Sequence, residues 1–203
     1  MKKIAVIAFL LAVCVTAGRA QESRQDVSLS GTGLIEPFVA GSNTVLVHSN
    51  AAYGALASYR FMLTPSSAIE ANYGLTYQNT FHFINNTGTT KVLTRTEEIS
   101  GAYVRSFNFR KFNPFVEAGP AGLIFMPIMN TGTRGEYAQD VKRETQISFL
   151  YGGGVAYEIS PSFDIRAEYR GLVTKVPKFG ESTLGTNKWF NIYEPTIGVA
   201  YHF

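Results

Sequence analysis

Over much of this chain, apolar and polar side chains change places at every residue. Phe163, Ile165, Ala167, Tyr169, Gly171 and Val173 alternate with Asp164, Arg166, Glu168 and Arg170. Ile69, Ala71, Tyr73, Leu75 and Tyr77 alternate with Glu70, Asn72, Gly74, Thr76 and Gln78. The same beat separates Ile147, Phe149, Tyr151, Gly153, Val155 and Tyr157 from Gln146, Ser148, Leu150, Gly152, Gly154 and Ala156. At the end of the chain Tyr193, Pro195, Ile197, Val199, Tyr201 and Phe203 oppose Glu194, Thr196, Gly198, Ala200 and His202. A period of two belongs to strands with two unlike faces, because successive side chains leave a pleated backbone on opposite sides.

Turn-forming stretches recur at Leu63–Ser67, Phe109–Pro114 and Ile159–Ser162. Taking Pro65, Phe112 and Pro161 as markers, the intervals are 47 and 49 residues, so the chain after residue 20 falls into four similar units. A polar segment lies in the middle of each, at Gly41–Asn50, Phe81–Thr96, Pro127–Glu144 and Lys175–Lys188. Strands are therefore expected at 26–40, 51–63, 68–80, 97–108, 114–126, 145–159, 163–174 and 189–203, with Pro37 interrupting the first.

The polar faces mix very small residues with ions of both signs, while the apolar faces carry aromatics toward their ends. A narrow barrel must fill its interior, and small side chains there make room for long ones. In hydrocarbon an unpaired backbone group costs several kcal/mol, so a closed ring is the stable way for strands to cross a membrane. The expected fold is all-β, an eight-stranded antiparallel up-and-down transmembrane β-barrel with short turns on one side and long loops on the other. A soluble barrel with an apolar cup and a polar exterior is the competing reading.

The N-terminus fixes the compartment. Met1-Lys2-Lys3 is basic, Ile4 to Ala17 is almost wholly apolar, and Gly18-Arg19-Ala20 places small residues before Gln21. That is the order of a secretory signal peptide, expected at 1–20, with the barrel domain at 21–203. The apolar run is too short for a spanning helix. Cys14, the one cysteine, lies within that run, so the exported part is expected to lack disulfides and thiol chemistry. Removing Lys2, Lys3 and Arg19 leaves fifteen basic and fifteen acidic residues, and the basic balance of the whole chain gives no reason to expect nucleic acid as a partner.

The inward faces supply an ionic network: Arg60, Glu70, Glu117, Arg166, Glu168, Arg170 and Glu194. Buried ions are tolerated when paired and hydrogen-bonded. These side chains can fill and stiffen the barrel, or line a narrow gated ion path. Arg105 falls on the outward face near a short turn, where its long stem can reach lipid headgroups.

Two stretches carry a family likeness: Pro114-Phe115-Val116-Glu117-Ala118-Gly119-Pro120-Ala121-Gly122, and the run from Tyr151-Gly152-Gly153-Gly154 through Ser160-Pro161-Ser162-Phe163-Asp164 to Arg170. With the ending Ile197-Gly198-Val199-Ala200-Tyr201-His202-Phe203, the chain resembles the small eight-stranded outer-membrane barrels grouped with the OmpA transmembrane domain and the OmpW-like proteins. The resemblance implies the outer membrane of a Gram-negative envelope. It also implies an assembly signal in Ile197, Val199, Tyr201 and Phe203, read by the barrel-assembly machinery. No match to the peptidoglycan-binding domain of OmpA is found.

Catalytic patterns are weak. His48 and His82 fall in or near long loops and His202 near the other end, while His48 and Ser49 are strand neighbours that point apart. Gly152-Gly153-Gly154 lacks the Lys-Ser/Thr of a phosphate loop and reads as strand packing. Asn85-Asn86-Thr87 reads as a turn, and no acidic spacing suits calcium. The expectation is a monomeric, non-enzymatic barrel of the porin class without cofactor or metal. Its partners would be outer-membrane lipid and lipopolysaccharide, and its role structural or surface-interacting through long loops. The loop Pro127–Glu144, with Arg134, Glu136, Asp140, Lys142, Arg143 and Glu144, suits anionic sugars or mere solvation. A narrow pore or small-solute transporter is the alternative, and a lipid-modifying enzyme a third.

Overall fold

A computed structural model describes residues 24–41, 46–85, 88–132, 141–180 and 184–203. The segment expected to be a signal peptide lies outside them, as do Arg134, Glu136 and Asp140. Among the described residues ten strands form one antiparallel sheet: β1 (Gln25–Leu34), β2 (Val39–Ala40), β3 (Leu46–Ser49), β4 (Ala52–Thr64), β5 (Ser67–Asn85), β6 (Gly88–Ser106), β7 (Phe112–Gly132), β8 (Glu144–Ser160), β9 (Phe163–Lys175) and β10 (Trp189–His202). Each long strand pairs with its neighbours in sequence, and β1 closes the ring on β10 with Val27 opposite Tyr201 and Gly31 opposite Ile197. Eight strands make the barrel wall. The short β2 and β3 extend its first hairpin upward, since β3 continues the pairing of β4 along β5.

The outward positions of the wall are oily. Leu29, Ile69, Tyr73, Ile99, Val116, Ile165 and Tyr169 are all exposed, while their sequence neighbours are buried inside, and Ile147 and Ile197 are exposed on the same outer face. On β5 this band runs from Ile69 to Tyr77, which matches the roughly 9–11 residues a tilted strand needs to cross. Closure leaves the ladder no free edge within that band. No helix among the described residues is long and apolar enough to cross a membrane.

Strand lengths depart from the sequence expectation on one side. The short turns fall where expected, but β5 runs to Asn85, β6 begins at Gly88 and β7 runs to Gly132. Phe81–Thr96 is therefore a strand hairpin and not a loop. Its alternation persists with the opposite sign, Phe81, Phe83 and Val92 turned inward and His82 and Lys91 outward. Beyond the lipid the outer face meets water, so the oily face belongs inside.

The sign change on β5 has a local cause. Thr76 pairs with Thr96 and Asn79 with Thr94, so β5 carries one residue more than its partner. Gln78 adopts φ 63° there. One extra residue moves every later side chain to the other face. Ile69 to Tyr77 at odd positions face lipid; Asn79, Phe81 and Phe83, also odd, face the lumen.

Candidate functional site: a lumen closed at two levels

The lower lumen, nearer the short turns, is ionic. Arg170 on β9 reaches Glu98 on β6 at 2.6 Å, Glu194 on β10 at 2.8 Å and Glu117 on β7 at 3.3 Å. Arg60 on β4 pairs with Glu70 on β5 at 2.6 Å, and its guanidinium lies 4.7 Å from the centre of the Phe115 ring. Arg166 on β9 meets Asp26 at 3.2 Å, with Glu70 at 3.8 Å and Glu168 at 3.9 Å. All seven residues of the sequence-derived set are buried and in ionic contact with one another or with Asp26 and Glu98.

Room for these long chains comes from β8. A Cβ at Gly152 would stand 2.9 Å from Oε1 of Glu117, and one at Gly154 would meet Phe115 at 2.8 Å and Glu168 at 2.9 Å. The triple glycine thus lies in strand β8, and two of its members leave space for carboxylates. Small hydroxyls finish the packing. Thr32 donates to Glu194 at 2.9 Å, and Ser100 to Glu98 at 2.7 Å.

Sequence reasoning missed Glu98, Asp26 and Asp164. Glu97 and Glu98 are neighbours, and only the phase of β6 decides which enters. Glu98 does, in step with Thr96 and Ser100, while Glu97 pairs with Arg95 on the outer side at 2.8 Å. Asp26 could have been found from register, since it stands directly across β1 and β4 from Arg60. Arg105 is outward and exposed, and it donates to the Ser67 hydroxyl at 2.8 Å. Ile197, Val199, Tyr201 and Phe203 lie along the outer side of the last strand, Tyr201 stacking on Phe203 with ring centres 6.0 Å apart.

The upper lumen is apolar. Phe81 touches Phe83, Phe125 and Phe179 with ring centres 6.2, 5.8 and 5.6 Å away, and Leu123, Leu150, Leu172, Leu184 and Ile192 close the cluster. Phe179 comes from the segment between β9 and β10, which folds inward as a plug. Its φ is 53°, followed by Gly180 at 80°. The tight turn is tied by Glu144, whose Oε2 accepts the backbone N–H of Lys178 at 2.7 Å and of Phe179 at 2.6 Å, and by the Lys142 N–H donating to the Phe179 carbonyl. At the bulge Asn79 donates to Glu36 at 2.7 Å and receives the Ser49 hydroxyl. Burial pushes the Glu36 carboxyl, beyond the end of β1, up to about 7, against the opposing pull of its hydrogen bonds from Asn79 and Ser49.

His48 and His82 stand opposite each other on β3 and β5 with ring centres 6.1 Å apart, far along the chain and the barrel from His202. Ser49 points inward, away from His48, and no serine–histidine pair forms between them. Among the described residues no group of three or more potential ligands could hold a metal ion.

The model of the outer membrane protein beta-barrel domain matches residues 5–203 of this chain. The chain belongs to that family. It is an outer-membrane β-barrel protein, and the outer membrane is its location. The fold is shared with OprG from Pseudomonas aeruginosa at 10% identity and TM-score 0.61, covering 91% of this chain and 98% of that one. Neisserial surface protein A gives 14% identity and TM-score 0.59, over 89% and 98%. The N-terminal barrel of Pseudomonas aeruginosa OprF gives 17% and 0.51, over 90% and 100%. No curated protein matches the chain. At such identities these likenesses speak for the fold alone.

Proposed function

We propose that this barrel is a closed, non-conducting platform that presents its extracellular rim to anionic surfaces, lipopolysaccharide first among them. The observation that carries the reading is the double seal of the lumen. Arg170 with its three carboxylates fills the lower level, and Phe179 with Phe81, Phe83 and Phe125 fills the upper one. An ion would have to break both, one costly in charge and the other in packing. With transport blocked, the rim is the part left to act.

The rim also has the chemistry. Lys142, Arg143, Lys175, Lys178 and Lys188 are exposed where β8, β9 and β10 reach their upper ends. Lys175 stacks over Trp189, 5.4 Å from the ring centre, and a tryptophan with a lysine at the headgroup level suits a phosphorylated glycolipid.

Planar-bilayer recording on the purified barrel tests the seal. Silence is expected, both unmodified and with Phe179→Ala. Reproducible single-channel steps changed by Glu117→Ala would instead establish the pore. Lipopolysaccharide co-purification, lowered by Lys175→Gln with Lys178→Gln and Lys188→Gln, tests the rim. Equal retention by the triple variant overturns that part of the reading.

A further inference from the structure

At the opposite end of the barrel the lower lumen opens into a cavity of about 270 Å³ between the short turns. We propose that this cavity binds a small zwitterion of amino-acid to dipeptide size, its ammonium held by aspartates and its carboxylate by arginines.

Both signs of charge are built into one wall. Asp26, Asp164, Arg166 and His202 line the inner part, and Arg110 and Asn113 the mouth. The pairing among them is incomplete. Asp26 is fully buried and spends Oδ2 on Arg166, yet Oδ1 has no hydrogen-bond partner. Arg166 is 1% exposed, and Nε and Nη1 likewise lack hydrogen-bond partners, their nearest carboxylates standing 3.9 and 3.8 Å away. One acceptor and two donors are thus left over on side chains of the same cavity. These three atoms lie behind the cavity surface, so a guest meets the wall through its accessible groups, Asp164 and His202 on one side and Arg110 and Asn113 at the mouth.

Simple ions fit less well. An anion would sit against Asp26 and Asp164, and a cation against Arg60, Arg110 and Arg166. Only a molecule carrying both charges meets each wall with its complement. Arg110 supports this. It lies in the β6–β7 turn with φ 58°, is exposed, and has no ion pair among the described residues. On the other side His202 lies between the two acids, its Nε2 2.8 Å from Asp164 and its Nδ1 3.9 Å from Asp26. The volume is large enough for a dipeptide. The site faces away from the rim, so it stands or falls independently of the surface reading.

The test uses the barrel purified from membranes, in detergent micelles, titrated with alanyl-alanine while the His202 ring and Asn113 side-chain resonances are followed. Acetate and methylamine are titrated in parallel as half-ligands. Saturable shifts are expected with the dipeptide alone. Arg110→Gln and Asp164→Asn should each weaken binding about tenfold, the loss of one charge-assisted hydrogen bond. Heat-modifiable gel migration shows whether each variant is folded. Acetate or methylamine saturating the same resonances as tightly would overturn the zwitterion. So would the absence of saturation, or folded variants that bind unchanged.

Discussion

Tyr73 and Phe81 are both aromatic, both on β5 and eight residues apart, yet Tyr73 faces lipid and Phe81 is wholly buried in the lumen. Between them lies the bulge at Gln78. Below it the barrel is oily outside and ionic inside; above it the hairpin has an apolar interior and a mixed outer row in which His48, His82 and Lys91 join Leu46 and Ile84. The two regions use one backbone plan and opposite polarity. Each face follows the medium it meets, and the strand needs only one additional residue to change allegiance.

Deleting Gln78 is the harshest way to break this contrast. Phe81 and Phe83 would turn to water and His82 and Ile84 into the plug. The upper hairpin should become protease-sensitive while the lower band keeps its heat-modifiable migration. A hairpin that stays protected would mean the bulge is not the switch. The lower level has its own weak point in Arg170. Arg170→Ala strands Glu98, Glu117 and Glu194 together, a loss of roughly 3–5 kcal/mol in urea unfolding from vesicles. Arg170→Met combined with glutamine at those three acids should recover most of it, because what destabilises is the unpaired charge.

The contrast also explains what was legible in the sequence. In the membrane band, lipid on one side and packed ions on the other force unlike residues onto the two faces, and alternation names the inward set from Arg60 to Glu194 directly. Glu98 was hidden because Glu97 beside it is equally acidic, and chemistry alone gives β6 no phase there. Above the band the signal breaks at the bulge: Phe81 at an odd position continues the lipid-facing series of Ile69 to Tyr77 by parity alone. A reader following parity has no warning of φ 63° at Gln78. Phe179 was beyond reach for another reason. It lies in a segment without period, and its partners Phe81 and Phe83 are about a hundred residues away in the chain.

Phe179→Ala sharpens the comparison at the next lower magnitude. A fully buried phenylalanine costs about 3–5 kcal/mol when truncated, and a tethered loop relaxes part of that, so about 2–3 kcal/mol is expected. Hydrogen exchange should locate the loss. Amides of Phe81, Phe83 and Val92 lose protection, and those of Glu70, Arg166 and Arg170 keep theirs. Uniform loss through both levels would show that plug and network form a single cooperative unit.

Glu36 sits at the boundary, and its effect is the smallest and the most conditional. With the carboxyl raised from 4.5 to about 7 by burial, the folded barrel holds a proton that the unfolded chain releases. In that interval the folded state binds more protons, so stability falls as pH rises from about 4.5 and levels off above about 7. Glu36→Gln keeps an acceptor for Asn79 and removes the titration. The variant should match the parent near pH 4.5 and exceed it by about 2 kcal/mol near pH 8. Urea midpoints at the two pH values measure this directly. The same substitution tests how dry the boundary is. A gap that stays constant with pH would mean water reaches Glu36 and the plug does not seal, leaving the ionic level as the barrel's one barrier.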